Sequence, residues 1–219
     1  MTNCRLTDPE FERGVKDFLA VCNVVKVFRH PRILQIAPRP FDFWSTMCNE
    51  GELLEKFNIQ LSPIPLPELT AQVKKAKEEG TEVKAVMDYC KEKMNVCVTE
   101  EQLENIAALK VAMRRLADQY GCNAVAIQCW NALQGELGIM PCAANSLLNE
   151  EGLPVVCETD IHGAITVVMA EAADLNRIPS FFADWTVRHP DNENGELLQH
   201  CGPCPPPRPA SSPPGAWSR

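Results

Sequence analysis

Short apolar runs alternate with longer amphipathic stretches along most of the chain, and this alternation limits the fold more than any other feature of the sequence. The amphipathic stretches carry apolar residues at helical spacing, whereas the short runs are rich in β-branched residues. Successive strands joined through a helix run parallel, because the crossover returns the chain to the same end of the sheet. The strands are predicted at residues 33–38, 58–64, 124–128, 154–158 and 180–184. The sequence therefore predicts an α/β fold with a doubly wound, mostly parallel sheet of the Rossmann-like type.

The helices beside these strands have recognisable start signals. The first begins after Asp8 and keeps its apolar residues at helical spacing as far as Arg29. Thr99 and Gln102 have the spacing of a capping box, which predicts a helix that continues to Tyr120. Further helical segments are predicted at residues 46–56, at 67–94 as one or two polar helices, at 131–149 and at 162–174.

The chain divides into three predicted parts. Residues 1–29 form the N-terminal helix, interpreted as a remnant of, or link from, a first domain, and residues 30–200 form the Rossmann-like domain. Residues 201–219 read CGPCPPPRPASSPPGAWSR, which is rich in proline and has no apolar periodicity. Such a segment cannot build a packed core, so a disordered tail is predicted.

Charge and hydropathy argue against two classes of partner. The net charge of −8 and the pI near 5.1 do not suit nucleic acid, because phosphate neutralisation requires clustered Lys and Arg. No apolar run is long enough for a membrane span, and the N-terminus lacks a signal-peptide pattern. The eleven cysteines are odd in number and lie mostly in apolar runs, which favours reduced thiols. We therefore expect a cytoplasmic protein with no nucleic-acid or membrane partner.

Polar side chains follow the predicted strands where each strand ends. Loops at the carboxyl ends of parallel strands converge on one crevice, which is where α/β proteins place their functional groups. The residues are Arg39 after the first strand, Trp130 and Glu136 after the third, Glu158 and Asp160 after the fourth, and Asp184 after the fifth. Carboxylates at such an edge favour a hard divalent cation such as Mg²⁺ or Mn²⁺. The spacing alone leaves open that Glu136 and Glu158 are ordinary loop charges.

Long segments of the chain resemble one enzyme family. The stretch NAVAIQCWNALQGELGIMPCAANSLLNEEGLPVVCETDIHGAITVVMA, followed by FFADWTVRHPDNENGELLQHCG, resembles L-fucose isomerase and its L-fucose isomerase-like relatives. The segment RILQIAPRPFDFWSTMCNEGELLEKF resembles the start of that family's second domain, so that the resemblance covers residues 28–202. It implies the middle domain of a metal-dependent aldose–ketose isomerase that acts on a monosaccharide and uses Mn²⁺ or another divalent cation such as Mg²⁺.

The resemblance also implies roles for individual residues. Glu136 and Asp160 match the metal-binding carboxylates that transfer the proton through an enediol, and His200 matches a metal-binding histidine of related arabinose isomerases. Position at strand ends and helix starts adds four candidate substrate contacts. These are Arg39, Trp130, His162 and Asp184.

The chain also departs from the family pattern, which leaves two alternatives open. Family members have a domain before the segment that matches residue 30 and a β-rich domain after the segment that matches residue 202, and their active sites form between subunits. We therefore expect a homo-oligomer for the full-length form and little turnover from this chain alone. One alternative is a non-catalytic interaction or regulatory fragment. The other is a redox protein that acts through the CGPC motif of Cys201 and Cys204.

Overall fold

A computed structural model of the protein describes residues 4–200 and 202–204, and its main sheet has four parallel strands. In chain order these are β1 (Arg32–Ile36), β2 (Gln60–Ile64), β3 (Ala124–Ile127) and β4 (Val155–Val156), and their order across the sheet is β2–β1–β3–β4. The register places Ile33 between Leu61 of β2 and Ala124 of β3. The predicted α/β class and mostly parallel sheet are confirmed.

Eight helices connect and cover these strands within the described residues. Their bounds are α1 Pro9–Phe28, α2 Glu50–Phe57, α3 Leu66–Glu79, α4 Thr81–Lys93, α5 Glu100–Tyr120, α6 Ala132–Leu137, α7 Cys142–Glu150 and α8 Ile161–Ala173. The predicted polar segment is two helices, α3 and α4, because Gly80 takes a φ of 70° between them. The capping box is confirmed, since Gln102 N donates to Thr99 Oγ1 and Thr99 N donates to Gln102 Oε1.

The helices cover both faces of the sheet because alternate strand residues point to opposite sides. Leu34 and Val125 pack with α3, α5 and α7, whereas Ile33, Ala126 and Val156 pack with α2 and α8. On the first face, α5 is the most deeply buried helix. Across the described ranges, no helix combines the length and the apolar character that crossing a bilayer requires.

The N-terminal helix lies outside these layers. No residue of α1 is buried, although the helix packs along α8. Asn23 fixes this contact, because its side-chain amide donates a 3.0 Å hydrogen bond to the carbonyl of Ala172. The predicted helix is therefore confirmed as a helix, while its origin in a further domain stays a prediction.

The prediction of a fifth parallel strand at residues 180–184 is wrong. Residues 180–183 are irregular, and the chain then forms a separate antiparallel pair, β5 (Asp184–Arg188) with β6 (Glu196–Gln199). The polar segment between the two strands allows a local hairpin, whereas joining the main sheet would require another crossover. Every residue of both strands is exposed. Most of the predicted tail, namely residue 201 and residues 205–219, lies outside the described residues.

Candidate functional site

The loops at the carboxyl ends of β1, β3 and β4 each contain a non-glycine residue in the left-handed region. Ala37 has a φ of 63° after β1, Asn131 has 63° after β3, and Glu158 and Thr159 have 64° and 52° after β4. Such residues cost on the order of 1 kcal/mol each and persist where the surrounding contacts hold them. Strained backbone residues cluster at functional sites, so this edge of the sheet is the candidate site.

Contacts between the three loops join them into one surface. The Thr159 backbone donates a 3.1 Å hydrogen bond to the carbonyl of Ile127, and its hydroxyl donates to the carbonyl of Pro38 across 3.3 Å. The rings of Phe43 and Trp130 lie 5.7 Å apart between centroids. The loop after β4 is thus held against the loop after β1, and the loop after β3 meets it through an aromatic contact.

Asp160 is positioned as the N-cap of α8. Its Oδ1 accepts a 2.9 Å hydrogen bond from the backbone N–H of Gly163. A Cβ on Gly163 would lie only 2.7 Å from Asp160 Oδ2 and 2.8 Å from the ring of Phe182. Only glycine therefore allows Phe182 to pack so close to this carboxylate.

His200 and Asp184 form a second polar pair at the ends of the hairpin. His200 Nδ1 lies 3.0 Å from Asp184 Oδ2, and since a carboxylate only accepts, Nδ1 is the donor. The imidazole is 3% exposed, and the ring of Phe182 packs edge-on against it at 5.1 Å. Its Nε2 has no hydrogen-bond partner within the described part of the chain. In the neutral ring this nitrogen carries the lone pair, as it does in a metal-binding histidine oriented by a carboxylate.

Glu158 links the two groups electrostatically. Burial raises the pKa of Glu158; His200 opposes the rise, and the carboxylates of Asp184 and Asp160 add to it. Three ionisable side chains therefore act on the carboxylate of Glu158 at this edge. The sequence placed Glu158 among the carboxylates at the strand ends and left open that it is an ordinary loop charge. Its left-handed φ of 64° could not be predicted, because the residue is not glycine.

Glu136 and Asp160 line different cavities. Glu136 is exposed near the end of α6, beside an open cleft of about 830 Å³ that Lys77 and Glu101 also line. Asp160 borders a different cavity, of about 430 Å³, with Phe182. In residues 4–200 and 202–204, no group of three or more His, Cys, Asp or Glu side chains is arranged to hold a metal ion. The metal roles of Glu136, Asp160 and His200 stay predictions.

The remaining predicted contacts surround the same edge. The Arg39 guanidinium donates to the carbonyls of Pro40 and Phe41 and stacks over Trp44, 4.8 Å from the ring centre. Trp130 is half exposed against Phe43. His162 is exposed in the first turn of α8 and borders the Asp160 cavity. Asp184 accepts the hydrogen bond from His200. The substrate roles of all four residues stay predictions.

Beneath these loops lies a pair of buried thiols. Cys129 follows β3 and Cys157 follows β4, and they are 1% and 0% exposed. The Cys157 thiol hydrogen-bonds to Cys129, which lowers the pKa of Cys129. The same hydrogen bond, together with burial, raises the pKa of Cys157. Sequence reasoning treated these residues only as reduced thiols.

Comparison with known proteins gives the chain a set of relatives. No protein-family model matches it. It is 29% identical over 183 residues to a sulfoquinovose isomerase of Alkalicoccus urumqiensis, covering 83% of this chain and 40% of the relative. Proteins of the same name from Priestia megaterium and Clostridium sp. (strain MSTE9) are 25% and 26% identical, with 40% and 43% of their length covered. The similarity is therefore to sugar isomerases.

These relatives refine the expectation from the sequence. The predicted similarity to sugar isomerases is confirmed, but the relatives are named for sulfoquinovose and not for L-fucose. The chain spans about two fifths of the length of the curated relatives it matches.

Proposed function

We propose that this chain belongs to a sugar aldose–ketose isomerase and supplies proton-transfer and metal-binding side chains from the carboxyl edge of its sheet. The observation that carries this proposal is the similarity to sulfoquinovose isomerases over 83% of the chain. Sulfoquinovose, or a sugar of the same type, is the substrate to test first.

The side chains proposed to act are Glu158 and Asp160, with His200 beside them. Isomerisation moves a proton from the carbon next to the carbonyl to the carbonyl carbon, and the hydroxyl proton passes to the carbonyl oxygen. A carboxylate near the substrate accepts the first proton and returns it to the neighbouring carbon. We assign this task to Glu158 or Asp160, because Glu158 interacts electrostatically with both Asp160 and His200. Glu136, the carboxylate expected from the family resemblance, borders another cleft.

The same residues suit a hard divalent cation such as Mn²⁺ or Mg²⁺. The Nε2 of His200 is buried and has no hydrogen-bond partner in the described residues, and His200 and Asp160 both act on the pKa of Glu158. Mn²⁺ accepts this combination of carboxylate and imidazole. When bound, such an ion polarises the carbonyl and hydroxyl oxygens of a sugar. Asp160 and His200 are the residues that we propose would hold it.

Metal binding tests the proposal without requiring turnover. Mn²⁺ is titrated into the chain and into Asp160→Asn, His200→Gln and Glu136→Gln, and binding is followed by calorimetry and by the spin resonance of free Mn²⁺. We expect loss of binding in the first two variants and little change in the third. His30→Gln is the matched control, because His30 is an exposed histidine bonded to Asn58. Equal affinity in the chain and in Asp160→Asn would overturn the proposal.

Catalysis is tested separately with sulfoquinovose. Ketose formation is followed with the chain, with Mn²⁺ and with Glu158→Gln. Because the curated relatives are more than twice as long, we expect only slow turnover from this chain. Turnover that is lost in Glu158→Gln and kept in Glu136→Gln supports the assignment above.

A non-catalytic interaction or regulatory role is the second candidate. It is favoured by one observation, namely that residues 4–200 and 202–204 hold no preformed group of three metal-binding side chains. The titration above separates the two candidates, because this role predicts no difference between the chain and Asp160→Asn.

A further inference from the structure

The turn between β5 and β6 holds an asparagine that is directly followed by a glycine. These residues are Asn194 and Gly195, and no other asparagine in the sequence precedes a glycine. Asn194 is exposed, and its side chain makes no hydrogen bond within the described part of the chain. Because glycine has no Cβ, the backbone nitrogen of Gly195 is open to approach by the side-chain amide carbon of Asn194.

Packing within the turn explains why glycine occupies position 195. A Cβ on Gly195 would lie 2.9 Å from the Cβ of His189 and 3.2 Å from Nδ2 of Asn192. The Gly195 carbonyl also accepts a 2.9 Å hydrogen bond from the His189 N–H, which closes the hairpin. A larger residue would push these two sides of the turn apart. The geometry of the hairpin therefore keeps a glycine next to Asn194.

We propose that Asn194 is a site of spontaneous deamidation, with water as the co-reactant. The backbone nitrogen of Gly195 loses its proton and attacks Cγ of Asn194, which closes a five-membered succinimide ring. The bond between Cγ and Nδ2 breaks, and the side-chain nitrogen takes up a proton and leaves as ammonia. Water then adds to one of the two ring carbonyls and breaks the bond from that carbon to the Gly195 nitrogen, which regains a proton. Position 194 becomes aspartate or isoaspartate, depending on which carbonyl reacts.

The hydrogen bonds of the turn control the rate of this reaction. Gly195 N donates a 2.9 Å hydrogen bond to the Asn192 carbonyl, and Asn194 N donates a 3.0 Å hydrogen bond to Asn192 Oδ1. The Gly195 nitrogen can attack only after its own hydrogen bond opens. Every residue of both strands is exposed, and a two-stranded hairpin is only marginally stable, so we expect this opening to be frequent. Deamidation is therefore expected in the folded protein, at a lower rate than in the unfolded chain.

Isoaspartate alters the hairpin, because it carries the main chain through the former side chain and inserts one additional backbone atom. The length of the connection fixes the register of a hairpin, which here pairs Arg188 with Glu196 and Asp184 with Gln199. The longer turn is expected to weaken this pairing and, with it, the contact between Asp184 and His200. The modification and its detection do not depend on the proposed isomerase activity.

Ageing of the intact, folded chain tests the inference. The protein is incubated in heavy-oxygen water at mildly alkaline pH, because the Gly195 nitrogen reacts after losing its proton. Trypsin cleavage after Arg188 then gives a peptide that contains both Asn192 and Asn194, and electron-transfer fragmentation distinguishes aspartate from isoaspartate at each position. We expect isoaspartate that carries heavy oxygen as the main product at Asn194, together with labelled aspartate. Asn192 is the internal control, because glutamate follows it, and should stay unmodified.

Three results would overturn the inference. One is an unmodified Asn194 in the folded chain under conditions that convert the denatured chain. The others are equal conversion of Asn192, and aspartate formed without isoaspartate, which would indicate direct hydrolysis of the side chain. Asn194→Gln is expected to lose the modification, because the longer side chain would have to close a six-membered ring.

Amide hydrogen exchange tests the effect on the hairpin. The purified isoaspartate form is compared with Asn194→Asp, which has the same charge and a normal backbone. Faster exchange in β5 and β6 of the isoaspartate form is the expected result. Equal exchange in the two proteins would overturn the predicted weakening of strand pairing.

Discussion

The imidazole of His200 donates a 3.0 Å hydrogen bond to Asp184 and leaves its other nitrogen buried without a partner among the described residues. The carboxylate therefore sets which ring nitrogen carries the lone pair. It also fixes the direction in which that lone pair points.

Asp184→Asn is expected to weaken Mn²⁺ binding by about 10–100-fold, because the amide no longer fixes the tautomer and orientation of His200. Calorimetric titration measures the change. Glu193→Gln removes a carboxylate from the exposed turn between β5 and β6 and serves as the control. Unchanged affinity in Asp184→Asn would show that His200 is not a ligand.

Gly163→Ala is expected to destabilise the fold by about 1–3 kcal/mol, because the new Cβ meets Asp160 Oδ2 at 2.7 Å and Phe182 at 2.8 Å. Gly135→Ala in α6 is the matched control, since no atom lies within 4 Å of a Cβ there. The control should be neutral or stabilising by up to about 1 kcal/mol, as alanine is the better helix former. Urea unfolding of both variants measures the difference, and equal stabilities would contradict the packing described here.

Thr99→Ala is expected to lower the free energy of unfolding by about 1 kcal/mol, because α5 loses the oxygen that accepts from Gln102 N. Thr81→Ala, in the first turn of α4, should change it by less than about 0.5 kcal/mol. Thermal and urea unfolding compare the two variants. A loss in the control as large as in Thr99→Ala would show that the capping box contributes nothing specific.

The pKa of Tyr89 gives a test at high pH. Burial raises the pKa of Tyr89 to about 12, and its hydrogen bond to Glu150 adds to the rise. Folding therefore favours the protonated phenol, so the associated stability is complete below the ordinary value of about 10 and is lost as pH rises toward 12. Absorbance titration should show a phase near pH 12 that disappears in Tyr89→Phe. Titration of Tyr89 at its ordinary pKa would contradict the hydrogen bond between its hydroxyl and Glu150.

Much of the fold was predictable because its signals are local. The alternation of short and long apolar segments gave the parallel strands, and Thr99 and Gln102 marked the start of α5. The hairpin from Asp184 to Gln199 was not predicted, because one short apolar run looks the same whether its partner is a parallel strand or the next strand in sequence. Choosing between them requires knowledge of which edge of the sheet is free.

The site was predictable only in part. The carboxyl edge and Asp160 follow from strand direction and from the start of α8. Glu136 was expected beside Asp160, whereas the two side chains line different cavities. Glu136 comes nine residues after Ile127, the last residue of β3, so its position depends on the path of the loop and of α6. Glu158 was named among the carboxylates at the strand ends, but an ordinary loop charge was left open, because its orientation depends on left-handed backbone angles that the sequence of a non-glycine residue does not reveal.

The hairpin of β5 and β6 shares no backbone hydrogen bonds with the main sheet, yet it carries Asp184 and leads into His200. The candidate site therefore combines Asp160, which follows the main sheet, with His200, which follows the hairpin. The irregular residues 174–183 connect these two parts of the chain. A cation bound by both Asp160 and His200 would link the hairpin to the main sheet. Binding of the cation would then slow amide hydrogen exchange in the hairpin and leave exchange in the main sheet and its helices unchanged.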